Sequence, residues 1–170
     1  MPMITSTSDV VHTTKNDLSE SIRSDIIELL GGLLADAVDL HLQGKQAHWN
    51  VKGPDFLSLH QLFDKVVAEV QEYADLLAER IVQLGGVAAG TARLVAAQTE
   101  LEEYPAAIAR GDEHVRAVAG AIAAFAGRVR PAIDRAQEIG DAVTADMLTE
   151  ITRGSDKLLW FVEAHGQAER

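Results

Sequence analysis

The chain has no cysteine, which excludes a disulfide framework and any thiolate metal site. That suits a reducing compartment, and it removes the side chain that peroxide oxidises most readily. No stretch is apolar for long enough to span a bilayer, and the N-terminus lacks a basic region followed by an apolar run. The expected location is therefore the cytoplasm, with no membrane partner. Basic residues are scarce, 15 against 26 acidic ones, for a formal net charge of −11. That sign opposes general binding to a phosphate backbone. A glycine-rich phosphate loop and an internal repeat are also absent. At 170 residues the chain fits one domain with a sizeable core.

What is present is almost entirely helical pattern. Residues 1–19 are rich in Ser, Thr and Asp with no apolar period, and read as a flexible arm; residues 166–170 form a short tail. The domain lies between them, over residues 20–165. From about Glu20 to Val51, the set Ile22, Ile26, Leu29, Leu30, Leu33, Ala37 and Leu40 recurs at helical spacing. Gly31-Gly32 interrupts it against propensity, and close packing on a neighbour is one reason for such a pair. A second helix starts near Asp55, buries Leu59, Leu62, Phe63, Val66, Val70, Tyr73, Leu77, Ile81 and Leu84, and ends at Gly85-Gly86.

Residues 87–111 make a long connection, with room for one short helix around Ala92 to Gln98. A crossover of that kind is needed when the second and third helices of a bundle run parallel. The third long helix spans about Asp112 to Glu138, and Pro131 within it is expected to kink it or remove a hydrogen bond. After a turn at Gly140-Asp141, the fourth runs from Ala142 to about His165. The fold expected is an all-α four-helix bundle with a short helix in the crossover.

The second helix carries the most informative spacing. His60 and Asp64 stand four residues apart, as do Asp75 and Glu79, so each pair projects together. The fifteen residues from His60 to Asp75 leave about 60° of rotation but about 22 Å of rise, so the pairs cannot share a metal within one chain. Two copies packed antiparallel about an axis near residues 69 and 70 bring them together. His60 then faces Glu79 of the other copy, and Asp64 faces its Asp75. His48 lies at the end of the first helix, and a turn at Gly53-Pro54 returns it beside His60 and Asp64. Two imidazoles and three carboxylates suit Fe(II), Mn(II) or Zn(II).

These residues resemble a known family. His48-Trp49-Asn50, Gly53, His60-x-x-x-Asp64, Asp75-x-x-x-Glu79-Arg80 and Gln83-Leu84-Gly85-Gly86, with Asp156-Lys157-Leu158-Leu159-Trp160-Phe161 near the end, are similar to the Dps family, the DNA-binding proteins from starved cells. The resemblance covers roughly residues 20–165. It implies a ferritin-like bundle assembled as a hollow homo-dodecamer that binds Fe(II) at dimer interfaces, oxidises it with hydrogen peroxide in preference to O2, and stores ferric mineral. The five ligand positions are His48, His60, Asp64, Asp75 and Glu79, and Zn is a competitor for them. Ordinary ferritins hold two irons inside one bundle with Glu-x-x-His motifs. This chain has Glu113-His114 and Glu163-Ala-His165 but no Glu-x-x-His, which favours the interface.

Other residues read in more than one way. Trp49 adjoins a ligand and, by resemblance, donates an electron during oxidation; an aromatic packed in the dimer contact is a compatible reading. Asp141 and Asp146 fall where the resemblance places an acidic three-fold pore for iron entry, although Asp141 reads equally as a helix N-cap. Lys65 reads as a partner for a carboxylate across the interface or as a plain surface lysine. His41, one heptad before His48, reads as a residue near the metal or as a hydrogen-bonded helix residue, and His12, His114 and His165 are expected to lie on the surface. Glu69 and Glu72 read as cavity-facing or simply solvated. The arm holds one basic residue, Lys15, so DNA binding at physiological salt is expected to be weak or absent. The competing functional classes are a DNA-coating protein and a zinc-holding cage without turnover.

Overall fold

The computed structural model describes residues 12–167, in five helices. They are α1 (Glu20–Asn50), α2 (Phe56–Gln83), α3 (Ala92–Gln98), α4 (Gly111–Ile139) and α5 (Ala142–Glu163). Ser19 starts α1 by accepting a hydrogen bond from the Ile22 N–H at 3.3 Å, the usual task of a serine at that position. Gly85 and Gly140 take the left-handed backbone conformation, with φ of 91° and 103°, just beyond α2 and α4. Glycine adopts it without a Cβ penalty, so the chain reverses there. The helix α4 runs through Pro131 without a break.

Cross-contacts fix the direction of each helix. Arg23 meets Leu84, Lys45 meets Asp64 and His48 meets His60, so α1 and α2 are antiparallel. Gly140 lies beside Ile22, Arg128 pairs with Asp36, and Arg110 bridges to Lys52, so α4 also opposes α1. It follows that α2 and α4 run parallel, as the long crossover requires. The helix α5 opposes α2 through Thr144 with Arg80, Gly154 with Tyr73 and Phe161 with Lys65. The core comprises apolar positions from all four long helices, including Leu30, Phe63, Ile122 and Leu148, each fully buried.

Glycine does its closest packing away from Gly31-Gly32. A Cβ at Gly31 meets nothing within 4 Å, and one at Gly32 meets only Arg128. The tight α1–α2 approach is at Gly44 instead, where a Cβ would sit 2.9 Å from a Val67 methyl. The crossover is held by a fully buried carboxylate. Asp36 accepts from the Glu100 N–H at 2.8 Å and the Thr99 hydroxyl at 3.2 Å, and its other oxygen lies 2.5 Å from Arg128 Nε of α4. Arg128 also pairs with Glu100. Of the expected arm, residues 1–11 lie outside the described residues, as do 168–170 of the tail. The stretch just before α1 is tied to the bundle: the His12 N–H donates to the Gly85 carbonyl at 2.5 Å, and Leu18 packs on the core.

Candidate metal centre

The last turns of α1 and the first turns of α2 form the seam where the site is built. There the two expected histidines stack, ring centroids 3.7 Å apart and planes 20° off parallel. Each Nδ1 lies 2.8 Å from the other residue's backbone carbonyl, His48 against His60 and His60 against His48. A carbonyl only accepts, so each Nδ1 carries the proton and donates it. In a neutral ring that is a single tautomer, with Nε2 carrying the lone pair, the form in which an imidazole binds a metal. Phe56 packs on the outer side of His60 at 5.1 Å.

Asp64 stands one helical turn further on. Its Oδ1 is 3.9 Å from His48 Nδ1 and 2.6 Å from Lys45 Nζ. The hydrogen bond from Lys45 holds its carboxyl below the usual carboxylate range. Lys45 is a neighbour that sequence reasoning missed, nineteen residues distant in the chain, although its place three residues before His48 puts it on the same helical stripe. Lys65, by contrast, turns to α5, with Nζ 4.7 Å from the centre of the Phe161 ring.

Asp75 and Glu79 are both exposed on α2. Among the described residues, no three His, Asp or Glu side chains of one chain gather closely enough to hold a metal ion. Leu57, Asp64, Ala68, Gln71, Asp75, Glu79 and Val82 lie along one exposed stripe of α2. Trp49 is 66% exposed beside His48.

The two acidic residues at the start of α5 differ. Asp146 is exposed. Asp141 is only 2% exposed, and both of its oxygens are engaged. It caps α5 by accepting from the Thr144 N–H, and it takes a two-pronged hydrogen bond from Arg80, at 2.9 and 2.7 Å. Burial alone would raise its carboxyl, but the Thr144 and Arg80 donors outweigh that and lower it. Of the two readings of Asp141, the geometry carries the helix cap. A carboxylate so enclosed has no free face within the subunit to line a pore.

The remaining histidines divide. His41 Nδ1 reaches the Val67 carbonyl at 3.3 Å across the same seam, as a hydrogen-bonded helix residue should. His165 is exposed and bonds to the Phe161 carbonyl. His114 is a correction: it is 1% exposed, not on the surface, and lies 2.6 Å from the Tyr104 hydroxyl. Its position one turn before Val118 and two before Ile122 places it on the buried stripe of α4. Burial lowers its basicity, so it is neutral, and its Nδ1 shares a single hydrogen bond with the Tyr104 hydroxyl. Trp160 is 61% exposed on the subunit.

Fold and site define a ferritin-like helical bundle with paired imidazoles at one end of its first hairpin. The ferritin-like domain family matches residues 27–170. The chain is 44% identical over 156 residues to the DNA protection during starvation protein of Agrobacterium fabrum, covering 92% of this chain and 96% of that one. Among solved structures, DpsC from Streptomyces coelicolor superposes with a TM-score of 0.90 at 32% identity, covering 95% of this chain and 94% of its own. Dps from Microbacterium arborescens in its high-iron form superposes at 0.82 with 34% identity, covering 93% and 99%. The chain belongs to the Dps family of ferritin-like proteins.

Proposed function

We propose that this protein is an iron-oxidising storage protein whose sites form only between two subunits. The observation that carries the reading is the reciprocal His48–His60 pair, whose Nδ1 atoms are held by main-chain carbonyls so that the Nε2 atoms are left for a metal, with Asp64 3.9 Å from His48 Nδ1. Two copies of α2 crossing antiparallel near residues 69 and 70 complete each site with Asp75 and Glu79 of the partner. The exposed stripe supports that packing. In that packing Leu57 meets the partner's Val82, both largely exposed on the lone subunit, and the small Ala68 lies close to the axis, where backbones approach most nearly. Membership in the family and the high-iron form of one relative are consistent with iron as the substrate.

Chemically, Fe(II) is the substrate, oxidised by hydrogen peroxide, or more slowly by O2. The imidazoles set geometry, and Asp64 with the partner's Asp75 and Glu79 offsets more of the charge of Fe(III) than of Fe(II), which favours oxidation. Peroxide takes one electron from each of two irons together with two protons and leaves as two waters, so no hydroxyl radical is released. The product accumulates as ferric mineral in the cavity of a dodecamer. Trp49, exposed next to His48, is placed to pack in the contact and to supply an electron. Asp146 remains the exposed acidic residue for an entry pore.

The test is co-assembly. Replacing His60 and Asp64 with Ala abolishes rapid Fe(II) oxidation, and so does replacing Asp75 and Glu79. In a mixed dimer one site loses both halves and the other keeps all its ligands, so activity returns to about half that of wild type in such heterodimers. Mixed particles with no recovery would overturn the intersubunit site. Anaerobic Fe(II) titration followed by peroxide, with ferric absorbance and particle mass as readouts, checks storage and the twelve-subunit size. Bound zinc without turnover would favour the inert cage instead.

A further inference from the structure

The groove between α2 and α5 holds charges that the subunit leaves unpaired. Lys65, Glu69 and Tyr73 stand four residues apart along α2, and Arg153, Lys157 and Phe161 do the same along α5, so each trio forms one helical stripe. The stripes meet along a groove of about 340 Å³ that Glu150 also lines. Two ammoniums converge there on one neutral ring: Lys65 Nζ lies 4.7 Å and Lys157 Nζ 5.7 Å from the centre of Phe161. Among the described residues, none of Lys65, Arg153, Lys157, Glu69 and Glu150 makes an ion pair. The groove also contains a buried polar group. Tyr73 is only 6% exposed, and its hydroxyl fills the space that a Cβ at Gly154 would take. That hydroxyl has no hydrogen-bond partner among the described residues, and Tyr73 lines the groove. A buried hydroxyl of this kind costs free energy unless something in the groove partners it.

We propose that this groove binds a small oxyanion that carries a proton, of which hydrogen phosphate is the example. The Tyr73 hydroxyl, the Arg153 guanidinium and the two ammoniums are all donors. An anion between the lysines replaces their repulsion with charge-assisted hydrogen bonds. Burial, with Glu69 and Glu150 beside it, pushes the Tyr73 phenol up to about 12, so the hydroxyl keeps its proton and can donate it. Three cations against two carboxylates leave the groove net positive on a chain whose net charge is −11. The two carboxylates select among anions. Hydrogen phosphate donates its P–OH to Glu69 or Glu150, whereas sulfate has no proton at neutral pH and meets only repulsion from them. Lys65 follows Asp64 but is turned about 100° from it round the helix. The groove is therefore separate from the proposed metal ligands and does not depend on the intersubunit site.

The test uses the full chain, stripped of metal with EDTA and dialysed free of phosphate, with inorganic phosphate and sulfate as probes. Calorimetry and phosphorus NMR line broadening show phosphate binding once per subunit. Sulfate binds at least about tenfold more weakly, the loss expected for one charge-assisted hydrogen bond. Tyr73→Phe keeps the packing and weakens phosphate by about the same factor. Lys65→Met with Lys157→Met removes measurable binding, and the Gln pair takes its place if helical circular dichroism falls. Glu69→Gln with Glu150→Gln closes the gap between phosphate and sulfate, because an amide can donate to sulfate. A merely positive surface would instead strengthen both anions alike in that variant. The proposal is wrong if millimolar phosphate gives neither heat nor line broadening, if sulfate matches phosphate on wild type, or if Tyr73→Phe binds phosphate as wild type does. Mn(II) binding that Glu69→Gln with Glu150→Gln abolishes, without any phosphate binding, would make this a cation groove and overturn it equally.

Discussion

Replacing Asp141 separates a structural carboxylate from a pore carboxylate. Asp141 receives two hydrogen bonds from Arg80, at 2.9 and 2.7 Å, and caps α5 at Thr144; Arg80 itself is 8% exposed. Asp141→Ala leaves a guanidinium in the interior without its counter-charge, a loss of about 3–5 kcal/mol. For a chain of this length that lowers the melting temperature by roughly 6–20 °C, at about 2–4 °C per kcal/mol. Asp141→Asn keeps a capping oxygen, worth about 1 kcal/mol, and is correspondingly milder. Arg80→Met with Asp141→Ala should be less damaging than Asp141→Ala alone, since no charge is then stranded. The carboxyl is held low in the folded state, so its contribution is present above the unfolded value of about 3.9 and is lost as pH falls through the folded one. Thermal scans of the four proteins at neutral pH and in an acid series provide the measurement. A melting temperature within about 2 °C of wild type for Asp141→Ala, where at least 6 °C is expected, would refute the argument. Slowed iron uptake without that loss would return Asp141 to the pore.

The buried His114 is neutral in the fold with its basicity lowered, so the unfolded chain binds the extra proton first. Stability is therefore full above about pH 6.5 and declines below it, and His114→Phe should flatten that part of the pH–melting curve. Gly44→Ala puts a methyl 2.9 Å from Val67 and should cost about 1–3 kcal/mol by overpacking, seen as a lower melting temperature, whereas Gly31→Ala, facing open space within the subunit, should not lower it. With a net charge of −11, the protein should form no stable DNA complex at about 0.15 M salt, where charge effects are already screened. A mobility shift that persists there without divalent cations would contradict this.

Much of the fold was legible because its punctuation is local. Gly85-Gly86, Gly140 and the Gly53-Pro54 turn bound helices whose apolar period is regular, and the short crossover helix falls at Ala92–Gln98 as its composition indicated. The pairing of His48 with His60 was legible too, since a five-residue turn between long helices leaves one antiparallel arrangement. Interactions between residues remote in sequence were not. Asp36, Thr99, Glu100 and Arg128 come from three separate elements, and nothing near Asp36 in the chain marks it as buried. Lys45 and Asp64 face each other only once the α1–α2 register is set. Gly31-Gly32 drew attention because it breaks propensity, yet Gly44, Gly86 and Gly154 make the tighter approaches. Propensity reports on one helix, whereas those approaches depend on the helix beside it.

The reciprocal hydrogen bonds of His48 and His60 tie chemistry to helix alignment. Each ring depends on a main-chain oxygen of the opposite helix, so no side-chain replacement at one position removes the acceptor used by the other. Sliding α1 along α2 by one residue, about 1.5 Å of rise and 100° of turn, would break both bonds at once. The pair therefore works as a vernier across the hairpin. Insertions in the five residues joining α1 to α2 are readable there as loss of two tautomers, even where the bundle core is untouched.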